Sequence, residues 1–215
     1  MSTATNIKTL RERSGAGILD CKKALNESGG DLEAAMDWLR AKGIASAAKK
    51  SGRIASEGLV GSYIHANGKI GVLLEVNCET DFVALNDGFQ GLVRDIAMHI
   101  AASAPEYVSR DDVPSDVADK ERSVQLARTI EEGKPEHIAE KIVEGRMNKW
   151  FQDICLLEQK YVKDDEKTVE QIVQDSVATI GENIKIRRFS RYVLGEGLEK
   201  RSDDFASEVA AQAGL

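Results

Sequence analysis

The chain has 215 residues, 42% of them hydrophobic and 5% aromatic, with 29 Lys and Arg against 36 Asp and Glu for a net charge of −7. That apolar content supports one medium core or two small ones and excludes wholesale disorder. The acidic balance and the scarcity of stacking side chains exclude nucleic-acid binding as the primary activity.

The charge is uneven. Residues 1–57 hold ten Lys and Arg against seven Asp and Glu, a net of +3, and the remainder holds nineteen against twenty-nine, a net of −10. A basic head on an acidic body predicts two modules with different partner surfaces. In the head, Ile7 and Leu10, then Ile18, Leu19, Ala24 and Leu25, recur at helical spacing across Ser14-Gly15-Ala16-Gly17. Gly29-Gly30 stops the second helix, Asp31 is suited to cap a third, and Leu32, Ala35, Met36 and Leu39 give that helix its stripe. Residues 43–56, rich in Ala, Lys and Ser, read as a solvated and partly helical linker.

Strand signals follow. Ile70, Val72, Leu74 and Val76 alternate with Lys69, Gly71, Leu73 and Glu75, a period of two. Leu59–His65 is a second β-rich run, and Asn67-Gly68 between them predicts a tight hairpin. In Ile184–Leu194 the apolar phase slips from even positions (Ile184, Ile186) to odd ones (Phe189, Val193), which predicts a β-bulge near Arg187-Arg188. Helices are expected over Phe89–Ile100, over an antiparallel hairpin at about 114–156 hinged at Gly133-Lys134-Pro135, from about Thr168, and over Asp203–Ala213. The hairpin's stripes are read as Val117, Val124, Ala127 and Ile130, facing Ile138, Ile142, Met147, Phe151 and Ile154. The fold class is α+β: a three-helix head over 1–54, a core over 55–200 with a three-stranded antiparallel sheet and a helical hairpin, and a last helix within 201–215.

A search for chemistry finds no constellation. Cys21, Cys78 and Cys155 are too far apart for a zinc spacing or a disulfide framework, and His65, His99 and His137 fall on separate elements. Gly15-Ala16-Gly17 follows a helix and lacks the Lys-Ser/Thr of a phosphate loop, so it reads as a tight turn. No metal or cofactor is expected. The N-terminus has no basic-then-apolar leader and no run approaches a membrane span, so a cytosolic protein is expected. One segment breaks its pattern: after the strand ends near Cys78, Thr80-Asp81-Phe82-Val83 sets a large aromatic beside an acid. Either Phe82 folds back onto the core, or a rigid loop presents it as a recognition anchor.

Thr80-Asp81-Phe82-Val83, preceded by Leu74-Glu75-Val76-Asn77-Cys78-Glu79, closely resembles the signature of the elongation factor Ts family. Leu10–Gly17, Asp20–Leu25, Lys141–Met147, Gly181-Glu182-Asn183-Ile184 and Gly195-Glu196-Gly197 resemble the family in the same order, over nearly the whole chain. The resemblance implies a guanine-nucleotide exchange factor for elongation factor Tu, with a head like a ubiquitin-associated domain. It implies that Thr80, Asp81, Phe82 and Val83 enter the partner's G domain near its Mg²⁺ site, with Phe82 as a wedge and no direct binding of nucleotide by this chain. It also implies that Lys8, Arg11, Ile18, Leu19 and Lys22 grip a helix of that domain, and that Ile70, Gly71 and His99 touch the partner from the core. Ile18 and Leu19 stand where the family often has methionine, which keeps the apolar contact but not its flexibility. Long family members duplicate the sheet unit, whereas this sequence carries one set of strands, so a homodimer is expected to supply the missing half. The setting expected is bacterial cytoplasm, or plastid stroma for a mature organellar form. A competing expectation is a peptide- or ubiquitin-binding adaptor without exchange activity.

Overall fold

The computed structural model describes residues 3–198, and the helix expected over Asp203–Ala213 lies outside them. The elements run α1 (Thr3–Ser14), α2 (Ile18–Glu27), α3 (Leu32–Lys50), β1 (Glu57–His65), β2 (Ile70–Cys78), α4 (Asp81–Ala84) and α5 (Asp87–Ser103). They continue with α6 (Ser115–Glu131), α7 (Glu136–Ile154), β3 (Lys160–Tyr161), β4 (Asp164–Thr168), α8 (Val169–Ile180) and β5 (Lys185–Val193). The architecture is α+β, with an antiparallel sheet in the order β1-β2-β5.

The head packs around Leu10, Cys21, Ala24, Leu25 and Ala35, with Ile7, Leu32, Met36 and Leu39 against them. Gly15 reverses the chain between α1 and α2 at φ +67°, a conformation that an L side chain disfavours. The Gly30 N–H closes α2 onto the Leu25 carbonyl at 2.8 Å, and the Asp31 carboxylate caps α3 by accepting from the Ala34 N–H at 2.7 Å. The expected linker over 43–56 is corrected. Helix α3 continues to Lys50, buries Ala47 in the main core and passes so close to α8 that a β-carbon on Gly43 would sit 3.2 Å from the Ala178 methyl. The small residues of this stretch serve close helix packing, and only residues 51–56 connect head to sheet.

The main core lies between one face of the sheet (Val72, Leu74, Val76, Ile186), helix α5 (Phe89, Val93, Ile96, Ile100) and α8 (Val169, Val173, Val177). Each large side chain buried there is worth about 1.5–3 kcal/mol, which dominates the stability of an element of this size. The predicted bulge is present: Glu75 pairs with Arg188 while Val76 pairs with Ile186, leaving Arg187 as the extra residue. That insertion lets Ile186 and Phe189 both face the core despite their odd spacing. The hairpin between β1 and β2 is longer than Asn67-Gly68 implied. Ala66, Asn67 and Gly68 all adopt positive φ within a loop closed by the Lys69 N–H on the His65 carbonyl at 3.2 Å.

Helices α6 and α7 form the expected antiparallel hairpin, but its seam differs from the predicted stripes. Ala139, Val143 and Met147 are buried along α7 and Thr129 on α6, whereas Val124, Ile130 and Ile138 are exposed. Arg146 ties the pair by donating to Thr129 Oγ1 at 3.1 Å and to the Glu132 carboxylate at 2.7 and 3.0 Å. The β3–β4 ribbon has no counterpart in the sequence reading, because strands of two and five residues with Tyr161 as their one buried side chain carry no periodic apolar signal.

Candidate functional site

The Thr80–Val83 segment is a capped helical turn rather than a loose loop. Thr80 holds extended backbone angles as the N-cap of α4, and its Oγ1 accepts from the Val83 N–H at 3.4 Å. Asp81 is the first helical residue and is exposed, its charge favourable at a helix N-terminus. Phe82 is 81% exposed and Leu85, three residues on and so on the same side of the turn, is 74% exposed. The choice left open by the sequence is decided: the aromatic faces solvent and does not fold onto the core, while Val83 is half-buried against it. Leu85 escaped the sequence reading, although its i+3 spacing from Phe82 would have marked it once the segment was seen as helical.

The base of this turn is held by groups distant in sequence. The Glu182 carboxylate accepts from the Glu79 and Thr80 N–H groups, each at 3.0 Å, and from the Thr80 hydroxyl at 2.7 Å. The Glu79 carboxylate accepts from the Asn183 N–H at 2.7 Å and pairs with Arg53 at 3.5 Å. The buried Asn183 side chain donates to the Arg53 carbonyl at 2.8 Å and the Ser51 carbonyl at 3.4 Å, just beyond the end of α3. Beneath the turn, Cys78 Sγ donates to the Thr80 carbonyl at 3.1 Å, and burial raises the pKa of that thiol.

On the head, Lys8 and Arg11 lie three residues apart on one exposed face of α1, with Lys8 3.9 Å from Glu12. Ile18, Leu19 and Lys22 share the exposed face of α2 opposite Cys21, Ala24 and Leu25, with Ile18 54% and Leu19 81% exposed. Two further candidates stand apart. Ile70 and Gly71 begin β2, about 27 Å along the strand from the Thr80 turn at about 3.4 Å per residue. His99 is fully buried: Nε2 bonds Gln159 Oε1 at 3.0 Å and Nδ1 accepts from the Val162 N–H at 3.2 Å. It offers no surface to a partner, because both ring nitrogens are spent joining α5 to the β3–β4 ribbon.

Burial lowers the His99 pKa, opposed in part by the bond with Gln159. Burial likewise pushes Cys155 up to about 11, which leaves it a thiol at neutral pH. Among the described residues no group of three or more His, Cys, Asp or Glu is placed to hold a metal ion, and no helix is long and apolar enough to cross a membrane.

Exposed apolar side chains on a braced turn, together with exposed apolar and basic side chains on a helical head, are the equipment of an α+β protein that docks on another protein. The chain belongs to the elongation factor Ts family: the family profile described as Elongation factor TS matches residues 46–196. It is 63% identical over 213 residues to Elongation factor Ts of Geobacter metallireducens, with 99% of each chain covered. It is 60% identical to the Geobacter sulfurreducens protein of that name, again over 99% of both chains, and 59% identical to that of Desulforamulus reducens over 98% and 97%. These relatives are about as long as this chain.

Proposed function

We propose that this protein releases guanine nucleotide from elongation factor Tu in the bacterial cytoplasm, with the α4 turn as the element that enters the partner. The observation that carries the reading is Phe82, 81% exposed on a turn whose base is held by the Glu182 carboxylate, in a chain of this family. An exchange factor must bind the nucleotide-free partner more tightly than the nucleotide-bound one, and nucleotide then weakens the factor by the same ratio. A rigid aromatic meets that need if its pocket opens only when the Mg²⁺ and phosphate contacts are displaced. Phe82 acts as the wedge, and Asp81 competes for the groups that hold the metal and phosphate. The head, as a module like a ubiquitin-associated domain, grips a helix of the G domain through Lys8, Arg11, Ile18, Leu19 and Lys22, and its basic surplus steers the approach. Ile70 and Gly71 give a second contact at the far end of β2. His99 takes no part in that contact, because both of its ring nitrogens are bonded within the chain.

The test is release of labelled GDP from elongation factor Tu with and without the protein. Phe82→Ala is expected to slow the catalysed release about tenfold or more, the range of an interface hot spot, while the melting temperature holds. Unchanged release kinetics in that variant would remove the wedge, and no acceleration by the wild type would leave an adaptor without exchange activity.

Homodimerisation belongs to the same reading. The outer sheet face carries exposed Val60, Ile64, Leu73 and Tyr192, an apolar surface that the pairing register places on one side. A second copy covering it would supply the missing sheet unit. Sedimentation is expected to give a dimer that Leu73→Glu converts to monomer; a wild-type monomer at micromolar concentration sinks this part alone.

A further inference from the structure

We infer that Glu182 is the positioning residue for the exchange turn, and that Asn183 extends the same lock to the end of α3; this rests on the exchange reading of the turn given above. The Gly181-Glu182-Asn183-Ile184 motif stands out in the sequence, yet Glu182 lies 102 residues beyond Thr80 and the resemblance gives its side chain no role. In the fold the Glu182 carboxylate meets the base of α4, while the Asn183 side chain bonds the chain just beyond α3.

Helix α4 cannot fix its own direction. It has four residues, far short of a helix that holds itself, and Phe82 is too exposed for packing to fix its direction. The direction of the ring therefore follows from the backbone, and the backbone is set at Thr80. Glu182 engages both polar donors of that residue, the N–H at 3.0 Å and the hydroxyl at 2.7 Å. A hydroxyl has one hydrogen. Once it points at Glu182, the oxygen's lone pairs are left for the Val83 N–H, so the carboxylate also decides that Thr80 caps α4.

The reciprocal bonds close the lock. Glu79 receives the Asn183 N–H at 2.7 Å, and the Asn183 amide donates to the Arg53 carbonyl at 2.8 Å. The α4 turn, the α8–β5 joint and the exit of α3 are thereby one hydrogen-bonded unit. Glu182 holds Thr80 within this unit, while the Asn183 bonds reach the exit of α3, so a change at Glu182 leaves the tie to the head in place.

The experiment uses the full chain and follows GDP release from elongation factor Tu against factor concentration, for wild type, Phe82→Ala, Glu182→Ala, Glu182→Asp and Glu182→Gln, below the melting temperature of each. Hydrogen exchange at the Glu79 and Thr80 amides is read in parallel. Glu182→Ala is expected to lower the maximal release rate about tenfold or more, as misplacement of a reacting group does, with the half-saturating concentration unchanged because the head surface is intact. Glu182→Asp, one methylene short, moves the same way. Glu182→Gln retains most of the rate, since its oxygen can take both backbone N–H groups while its NH₂ donates to Thr80 Oγ1. Both amides exchange faster in the Ala and Asp variants.

Maximal rates equal to wild type in the Ala and Asp variants, with Phe82→Ala slowed, overturn the proposal. So does a change confined to the half-saturating concentration. If the wild type gives no acceleration, or Phe82→Ala no slowing, the exchange reading fails instead. The amide exchange then still decides whether Glu182 holds the turn, and unchanged protection at Glu79 and Thr80 would remove the lock.

Discussion

Phe82 and Gly61 mark the two ends of what a single position can report. Phe82 was conspicuous in the sequence as an aromatic beside an acid just past a strand, yet its exposure could not be read there. The same residues would serve a side chain folded inward; in the fold the ring follows the Thr80 cap and is exposed. Gly61 shows the opposite case. It sits unremarked within the β-rich run Leu59–His65, but a β-carbon there would lie 2.4 Å from Val93 Cγ1, so α5 packs on β1 only because no side chain intervenes. Gly61→Ala is expected to cost about 1–3 kcal/mol by overpacking, seen as a lower urea midpoint at unchanged slope.

Among the elements, the helices and strands with one buried face were legible and the sparsely packed ones were not. Helix α5 and strand β2 each bury a continuous face, so their periods of 3.6 and 2 appear in the sequence, and the β5 bulge appears as a slip in phase. The α6–α7 hairpin touches little but itself. Its seam is a narrow line of Ala139, Val143 and Met147, and apolar residues beside that line can stay in water, which misleads a count of stripes.

The joint between α5 and the β3–β4 ribbon carries a pH dependence. His99 accepts the Val162 N–H at Nδ1, so the imidazole is held neutral with its proton on Nε2 toward Gln159. Protonating Nδ1 would set two donors against each other. The folded pKa is lowered, so below the ordinary value of about 6.5 the unfolded chain binds a proton that the folded chain refuses. This contribution is complete above that value and is lost as pH falls through the window beneath it. Urea unfolding between pH 7.5 and 5.5 is expected to show stability falling with pH, with a shallower slope in His99→Gln; equal slopes would dismiss His99 as the source.

At the scale of the whole molecule, the chief revision concerns where the head ends. Two separate cores exist, one around Leu10 and Leu25 and one around Phe89 and Leu74, but α3 contributes Ala35 to the first and Ala47 to the second. The expected boundary at residue 54 therefore cuts behind a helix that the core uses. Deleting residues 1–54 removes Ala47 together with the Ser51 and Arg53 carbonyls that receive the Asn183 amide. Deletion of residues 1–40 is expected to leave the core's melting temperature higher than deletion of residues 1–54, while both truncations remove the grip proposed for the head. Equal melting temperatures would show that the second half of α3 gives the core nothing.

The basic head joined to an acidic body with few aromatics is legible in the chain itself, and so are the fold class, the main helices and strands, the bulge and the family motifs. These are local: periodicity, caps and motif order need only neighbours along the chain. The sequence could not decide the outward face of Phe82, the burial of His99, the shared use of α3 or the role of Glu182. Each depends on contacts between segments far apart in the chain, such as the 102 residues that separate Thr80 from Glu182, and such contacts exist only once the core has brought those segments together.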